Sequence, residues 1–408
     1  MRKLLLVATA LVGSQTAAFA SNYINLDNPD TNNDYINSLA ITQDSANASN
    51  TISGDGNNPG TSLSLRGPWN SIAVNQYGGN NVLKGGFKTD AGSTTASVTA
   101  TYGSSAGGGT QGFNTHSLTI GATNVPVNPN VTISVANTAT TPATGNKNAI
   151  TDLIDVSGGG TLTYGLTVTG DTNTVANTVS AAGNNSLSET VTASRANTVT
   201  NSLTAGGAVS YTLAIGSGDS NTVSKTVSTS GATSMSQTLT GGSNSVTDAV
   251  GGNVQVASYS EGLSVTGSTN TIANTVDGGA AKTVNVTLGS SGNTVTNGMS
   301  ATGNQSSTLT ANSGSKVNYT LVAGTVASPL AGTSTASVIL NNVIGASSAQ
   351  GVVNVTQSAP GTSVNFTANG GAFTLAAGGI NITQGSNNAS LTATVNAHAN
   401  GYAFAIHQ

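Results

Sequence analysis

The chain has 408 residues; 6% are charged, 4% are aromatic, 36% are hydrophobic, and the formal net charge is -4. About a quarter of a soluble globular domain is normally charged, so an ordinary globular enzyme fits poorly, and a disordered chain would need the charge that this one lacks. No basic patch leaves nucleic-acid binding without electrostatic support, and the absence of cysteine leaves hydrogen bonds and packing to hold any fold together.

Val, Thr, Asn, Ser, Gly and Ala dominate instead. β-Branched residues favour strands while Asn and Gly favour turns, so an all-β protein with almost no helix is predicted. Residues 1–20 read as a signal peptide. Arg2 and Lys3 give a basic start, Leu4 to Val12 an apolar run, and Ala18-Phe19-Ala20 a cleavage site ahead of Ser21. The run is too short to cross a bilayer, and no later stretch of about twenty apolar residues follows, so secretion without a membrane span is expected. Loss of Arg2 and Lys3 takes the formal charge from -4 to -6. Residues 21–36 read as a disordered Asn-rich leader or a frayed terminus. Residues 37–100 form a short repeat block. In it Trp69, within Arg66-Gly67-Pro68-Trp69, reads as a packing anchor rather than a ligand platform. Residues 101–150 carry Gly107-Gly108-Gly109, Pro126, Pro129 and Pro142 and read as an irregular linker.

Residues 151–325 form a regular array. Asn followed by Thr or Ser and then Val or Ile recurs at Asn173, Asn197, Asn221, Asn244, Asn270 and Asn293, at intervals of 24, 24, 23, 26 and 23 residues. A fixed period in this range signals a solenoid. Each period divides in two, with Asn185–Val191 and Thr233–Leu239 as intervening strands. Gly170-Asp171, Gly183-Asn184, Gly218-Asp219, Gly241-Gly242-Ser243 and Gly267-Ser268 supply turns. Alternation puts Asn173, Val175, Asn177 and Val179 on one face and Thr174, Ala176 and Thr178 on the other. The predicted fold is a β-solenoid of stacked strand-turn-strand repeats, about 24 residues per turn. Stacking sets like residues about 4.8 Å apart, so valines form apolar columns and asparagines can form amide ladders. A position between the apolar residues is polar (Asn177, Asn201, Asn274, Asn297, but also Glu189, Lys225 and Asp248). It is expected to face a wet edge or to mark a kink, because unpaired charge is excluded from a dry core.

Residues 326–350, with Pro329, read as a loose linker, and residues 351–408 as a last repeat block. Its tail, Tyr402 to Ile406, reads as a cap over the final turn or a docking strand for another copy, the cap being preferred. Chemistry for catalysis is missing: His116, His398 and His407 are scattered, no spacing suits a metal, and no cofactor is called for. Gly103-Ser-Ser-Ala-Gly107 matches a nucleophile-elbow string without the strand-to-helix context it needs, and Gly216-Ser-Gly218-Asp219 lacks the acids of a calcium cage.

The stretch Asn70-Ser-Ile72-Ala-Val-Asn-Gln76-Tyr-Gly78-Gly-Asn-Asn81-Val-Leu83 resembles the curlin repeat. Asn37-Ser-Leu39-Ala-Ile-Thr-Gln43 resembles its first half, and the segments ending at Gln357 and Gln384 resemble curlin strands. In the central array only spacing and turn chemistry are similar, with Val179 where curlin has Gln. The resemblance implies a curli-like stacked fold, a secreted protein that polymerises outside a Gram-negative cell, and a role in adhesion and biofilm matrix. It also implies self-association, a nucleator subunit and an outer-membrane export pore. Assembly then rests on Asn37, Gln43, Asn70, Gln76, Gly78 and Asn81, on Asn173, Val175, Val179, Asn197, Asn221, Asn244, Asn270 and Asn293, and on Gln357 and Gln384. Two other readings use the same solenoid. One is a surface adhesin or surface-layer stalk. The other is an ice-binding face built on outward threonines such as Thr174 with Thr178, or Thr167 with Thr169.

Overall fold

The fold is described from a computed structural model. It gives the backbone of strand segments between residues 20 and 156 and of most of 161–407, and the side chains over most of 147–394. Over its most fully described stretch the chain is an all-β parallel solenoid of about 8 turns with roughly 24 residues per turn, and no helix occurs among the described residues. It divides into two compact units, Met1–Gly216 and Ser217–Gln408.

Each unit winds through two parallel sheets. One contains the recurring asparagines and is called here the Asn sheet; the other is its companion. In the first unit, residues 172–181 of the strand Leu162–Ala181 lie between Lys147–Val156 and residues 196–205 of Asn185–Ala205 in the Asn sheet. Residues 162–168 lie between Asn130–Asn137 and the start of Asn185–Ala205 in the companion sheet. In the second unit, Ser220–Thr229, Ser243–Val250, Thr269–Gly278, Asn293–Ala301 and Val317–Ala323 follow one another in the Asn sheet. Ala232–Thr240, Ser258–Thr266, Lys282–Leu288, Gln305–Ala311 and Ser334–Asn341 do so in the companion sheet.

Period-two alternation decides the burial. Val175 and Val179 are buried, stacked on Ile150 and Ile154 on one side and on Val199 and Leu203 on the other, while Thr174 and Thr178 are exposed. Alternation breaks once in Leu162–Ala181, where Gly170 and Asp171 are buried in succession and the register shifts. This is the corner at which the chain passes from one sheet to the other without leaving strand geometry. Gly241 and Gly267 turn the corresponding corners in the second unit. A Cβ on Gly267 would collide with the Gly241 carbonyl and lie 2.6 Å from the Asn244 amide nitrogen, so only glycine fits beneath the ladder there.

The segment read as an irregular linker, 101–150, carries strands Thr95–Gly103, Phe113–Ile120, Asn130–Asn137 and Lys147–Val156, all paired into the same two sheets. The tri-glycine and the three prolines fall between these strands. Proline lacks the N–H that a ladder needs, which fits its absence from these strands. Likewise 326–350 contains the strand Ser334–Asn341, the strand Ala20–Tyr23 runs into the Asn-rich leader, and Asn25–Asp27 lies within it. Residues 1–19 of the expected signal peptide and the nucleophile-elbow serines lie outside the described residues. The tail does form a strand, Phe404–His407, paired in parallel with Ile380–Thr383.

Candidate functional site

The most regular chemistry of the molecule is the asparagine ladder. In the first unit Asn148 Nδ2 donates to Asn173 Oδ1 at 2.7 Å, and Asn173 Nδ2 to Asn197 Oδ1 at 2.9 Å. In the second, Asn221, Asn244 and Asn270 each donate to the next asparagine, ending on Asn293, at 2.8, 2.8 and 2.7 Å. The second amide hydrogen goes to the strand end before the next asparagine: Asn148 to Thr169 O, Asn173 to Thr192 O, Asn221 to Thr240 O and Asn244 to Thr266 O. Each of these amides uses both hydrogens, and one of its bonds ties a corner to the turn that follows. That is how a buried amide avoids the penalty of an unmade bond. Replacing Asn244 with alanine removes two donors and an acceptor and leaves the Asn221 amide short of its acceptor. We expect a loss of about 1–3 kcal/mol, read as a lower urea midpoint with an unchanged far-UV spectrum.

The register extends the asparagine column beyond the array. Asn50 opposes Asn81, Asn81 opposes Asn114, and Asn114 opposes Asn148. Gln43 opposes Gln76, in the sheet that continues as the companion sheet, and Gly78 opposes Ser45. Asn37 and Asn70 are not brought together: Asn37 opposes Trp69, and a register shift follows. The side chains of these N-terminal residues lie outside the description. Gln357 and Gln384 stand in register in the Asn sheet, but their amides do not bond to each other. They turn across the interior, Gln357 Nε2 donating to Ser334 Oγ at 2.8 Å and Gln384 Nε2 to Thr362 Oγ1 at 3.1 Å. A glutamine is one methylene longer than an asparagine, so it reaches the companion sheet rather than its neighbour overhead.

The expectation that the polar position faces a wet edge or a kink is corrected. Asn177, Asn201, Lys225, Asp248, Asn274 and Asn297 are all fully buried in unbroken strands, and so is Glu189, which belongs to the companion sheet. Apart from Asn274, whose amide makes no hydrogen bond on either atom, they stay inside because they meet one another and a set of buried tyrosines. Tyr164 OH donates to Asp152 Oδ2 at 2.7 Å. Glu189 accepts from Asn177 Nδ2 at 2.6 Å, Asn201 Nδ2 at 2.8 Å and Tyr211 OH at 2.5 Å. Asn297 donates to Ser307 Oγ at 3.2 Å, which lies 3.0 Å from the Tyr319 hydroxyl. Burial pushes the Tyr319 hydroxyl up to about 12, and raises Tyr164 and Tyr259 well above the usual phenol value, reinforced by the carboxylates beside them. These phenols therefore stay protonated, and Tyr164 and Tyr259 donate to the carboxyl groups beside them. Facing polar residues from the two sheets thus meet in the interior of these turns.

The outer faces are the converse. In the second unit one column of the companion sheet reads Ser234, Ser260, Thr283, Ser306, Thr335, Ser363, and another reads Thr238, Ser264, Thr287, Thr310. Among the described residues, Lys147, Arg195, Asp219 and Asp277 are the exposed charges. Arg195 Nε reaches back to the buried Asp171 at 3.5 Å. Further ladders run through Asn312, Asn341 and Asn369, and through Asn354 and Asn381; sequence reading missed them because none of these asparagines is followed by Thr or Ser and then Val or Ile. No group of His, Cys, Asp and Glu that could hold a metal occurs among the described residues, and no described helix is long and apolar enough to cross a membrane.

These features define a two-sheet parallel β-solenoid whose chemistry is repetitive and mostly internal, a fold consistent with a structural or adhesin-like protein. Comparison with protein-family models, curated proteins and solved structures finds no match.

Proposed function

We propose that the chain is a secreted structural protein that assembles outside the cell into curli-like fibres or matrix supporting adhesion and biofilm, without enzymatic activity. The observation that carries this is the in-register parallel stacking of like on like, with asparagine amides bonded from turn to turn. A turn built this way presents backbone N–H and C=O groups, an amide acceptor and apolar columns that match the opposite side of another copy. Strand addition then continues both ladders with no new chemistry. The low surface charge supports the same reading, since charge repeated every 4.8 Å or so would repel itself. Export through an outer-membrane pore and a nucleating partner belong to this proposal.

The test is purified mature protein left at high concentration. Thioflavin-T-positive fibres with diffraction spacings of about 4.8 and 10 Å are expected. A monomer that stays soluble for days, even with seeds, would overturn it. If the N-terminal block nucleates, Gln76→Ala should lengthen the lag phase. A second reading, a solenoid that binds a surface through its hydroxyl columns, is favoured by the uncharged Ser and Thr faces. It predicts a stable monomer, and thermal hysteresis if the surface is ice.

A further inference from the structure

Lys225 and Asp248 hold the same position on successive strands of the Asn sheet. Both are 1% exposed, and Lys225 Nζ lies 3.2 Å from Asp248 Oδ1. Val223 and Val227 flank the lysine, Val246 and Val250 flank the aspartate, and all four are buried. Three groups from the companion sheet complete the cluster. Gln237 Nε2 donates to Asp248 Oδ2 at 2.6 Å and to Glu261 Oε1 at 2.9 Å, while Tyr259 OH donates to Glu261 Oε2 at 2.9 Å. One ammonium thus faces two carboxyl groups in a dry interior, where two carboxylates this close cannot both ionise and one must keep its proton.

We propose that Lys225 and Asp248 condense into an intramolecular amide that covalently joins two successive turns of the solenoid. The ammonium first gives a proton to the Asp248 carboxylate at Oδ1. The free amine then attacks Cγ, forming the N–C bond. Negative charge develops on Oδ2, where the Gln237 N–H already points, as a preorganised oxyanion donor requires. The Glu261 carboxylic acid protonates the departing Oδ1, which leaves as water, and takes back a proton from the nitrogen. Ammonium plus carboxylate become amide plus one water, with no oxidant, metal or cofactor. Burial and the neighbouring Asp248 hold the Glu261 carboxyl up at about 8, so it has a proton to give at neutral pH. Proximity removes most of the entropic barrier, and the product replaces a buried ion pair with a neutral amide, relieving its desolvation penalty.

Mass spectrometry of the purified full-length mature chain decides the matter. Arg195 and Lys282 are the tryptic sites on either side of Lys225. After denaturation trypsin should release an uncut 196–282 peptide about 18 Da lighter than its sequence, one water, because an amidated lysine is not cleaved. Asp248→Asn should form the same link with loss of ammonia, about 17 Da. Lys225→Arg should show neither loss, and Glu261→Gln should leave Lys225 largely cleavable. Full mass with complete cleavage at Lys225 in the folded wild-type protein would overturn the proposal. So would an 18 Da loss with Lys225 still cut, which would place the dehydration at Asp277-Gly278 instead.

Discussion

Replacing Asp248 with alanine is expected to destabilise the second unit by about 3–5 kcal/mol, the effect of leaving a buried charge without its partner. Lys225 is fully buried with Asp248 at 3.2 Å, and its stem is walled by valines, so the ammonium has no route to solvent without distorting the turn. Gln237 also loses one of its two acceptors. The paired replacement Lys225→Met with Asp248→Asn removes both charges, nearly keeps the volume, and should recover most of the loss. Urea unfolding of wild type, the single and the double variants checks this. A single variant within about 0.5 kcal/mol of wild type, the range of ordinary surface substitutions, would show that the pair contributes little. Because each turn contacts only its neighbours, the defect should appear as early melting of the turns around 225–261 rather than collapse of the whole chain.

A second large effect is expected on titration. Glu261 sits wholly inside, facing Asp248, Lys225, Gln237 and Tyr259, and its carboxyl is raised from 4.5 to about 8, by burial first and by Asp248 second. The folded state therefore binds a proton that the unfolded state releases above pH 4.5 or so. Stability from this group is fully present below that value and is lost as pH rises through about 8. Each pH unit between those two values is worth about 1.4 kcal/mol, so the loss amounts to several kcal/mol. Melting temperature should fall steadily between pH 5 and 9, opposite to the behaviour of a fold held by salt-bridged carboxylates. Glu261→Gln should flatten the slope, and an unchanged slope in that variant would assign the dependence to another group.

Much of this was written in the residues. Asn-Thr-Val at a 24-residue interval, glycine three positions before Asn173, Asn221, Asn244 and Asn270, and strict alternation around Val175 and Val179 each encode one local requirement of a stacked strand. Repetition makes those requirements agree from turn to turn. The asparagine column was under-read toward the N-terminus because a constant interval was taken as its signature. Asn50, Asn81, Asn114 and Asn148 stand 31, 33 and 34 residues apart, yet they occupy one register. Longer intervals between strands leave the register unchanged, and the tri-glycine and the three prolines of 101–150 fall in those intervals.

Composition, period and alternation therefore specified the parallel stack and which residues face inward, since both depend on the chain's own two-residue pleat and its repeat. Which interior residues meet across the two sheets was settled by folding alone. Glu189 with Asn177 and Asn201, Gln357 with Ser334, and Asp248 with Gln237 stand between about ten and twenty-five residues apart, outside any local pattern. Their charges look exposed in one dimension, and become tolerable inside only when the opposing sheet brings a donor or counter-charge within hydrogen-bond reach.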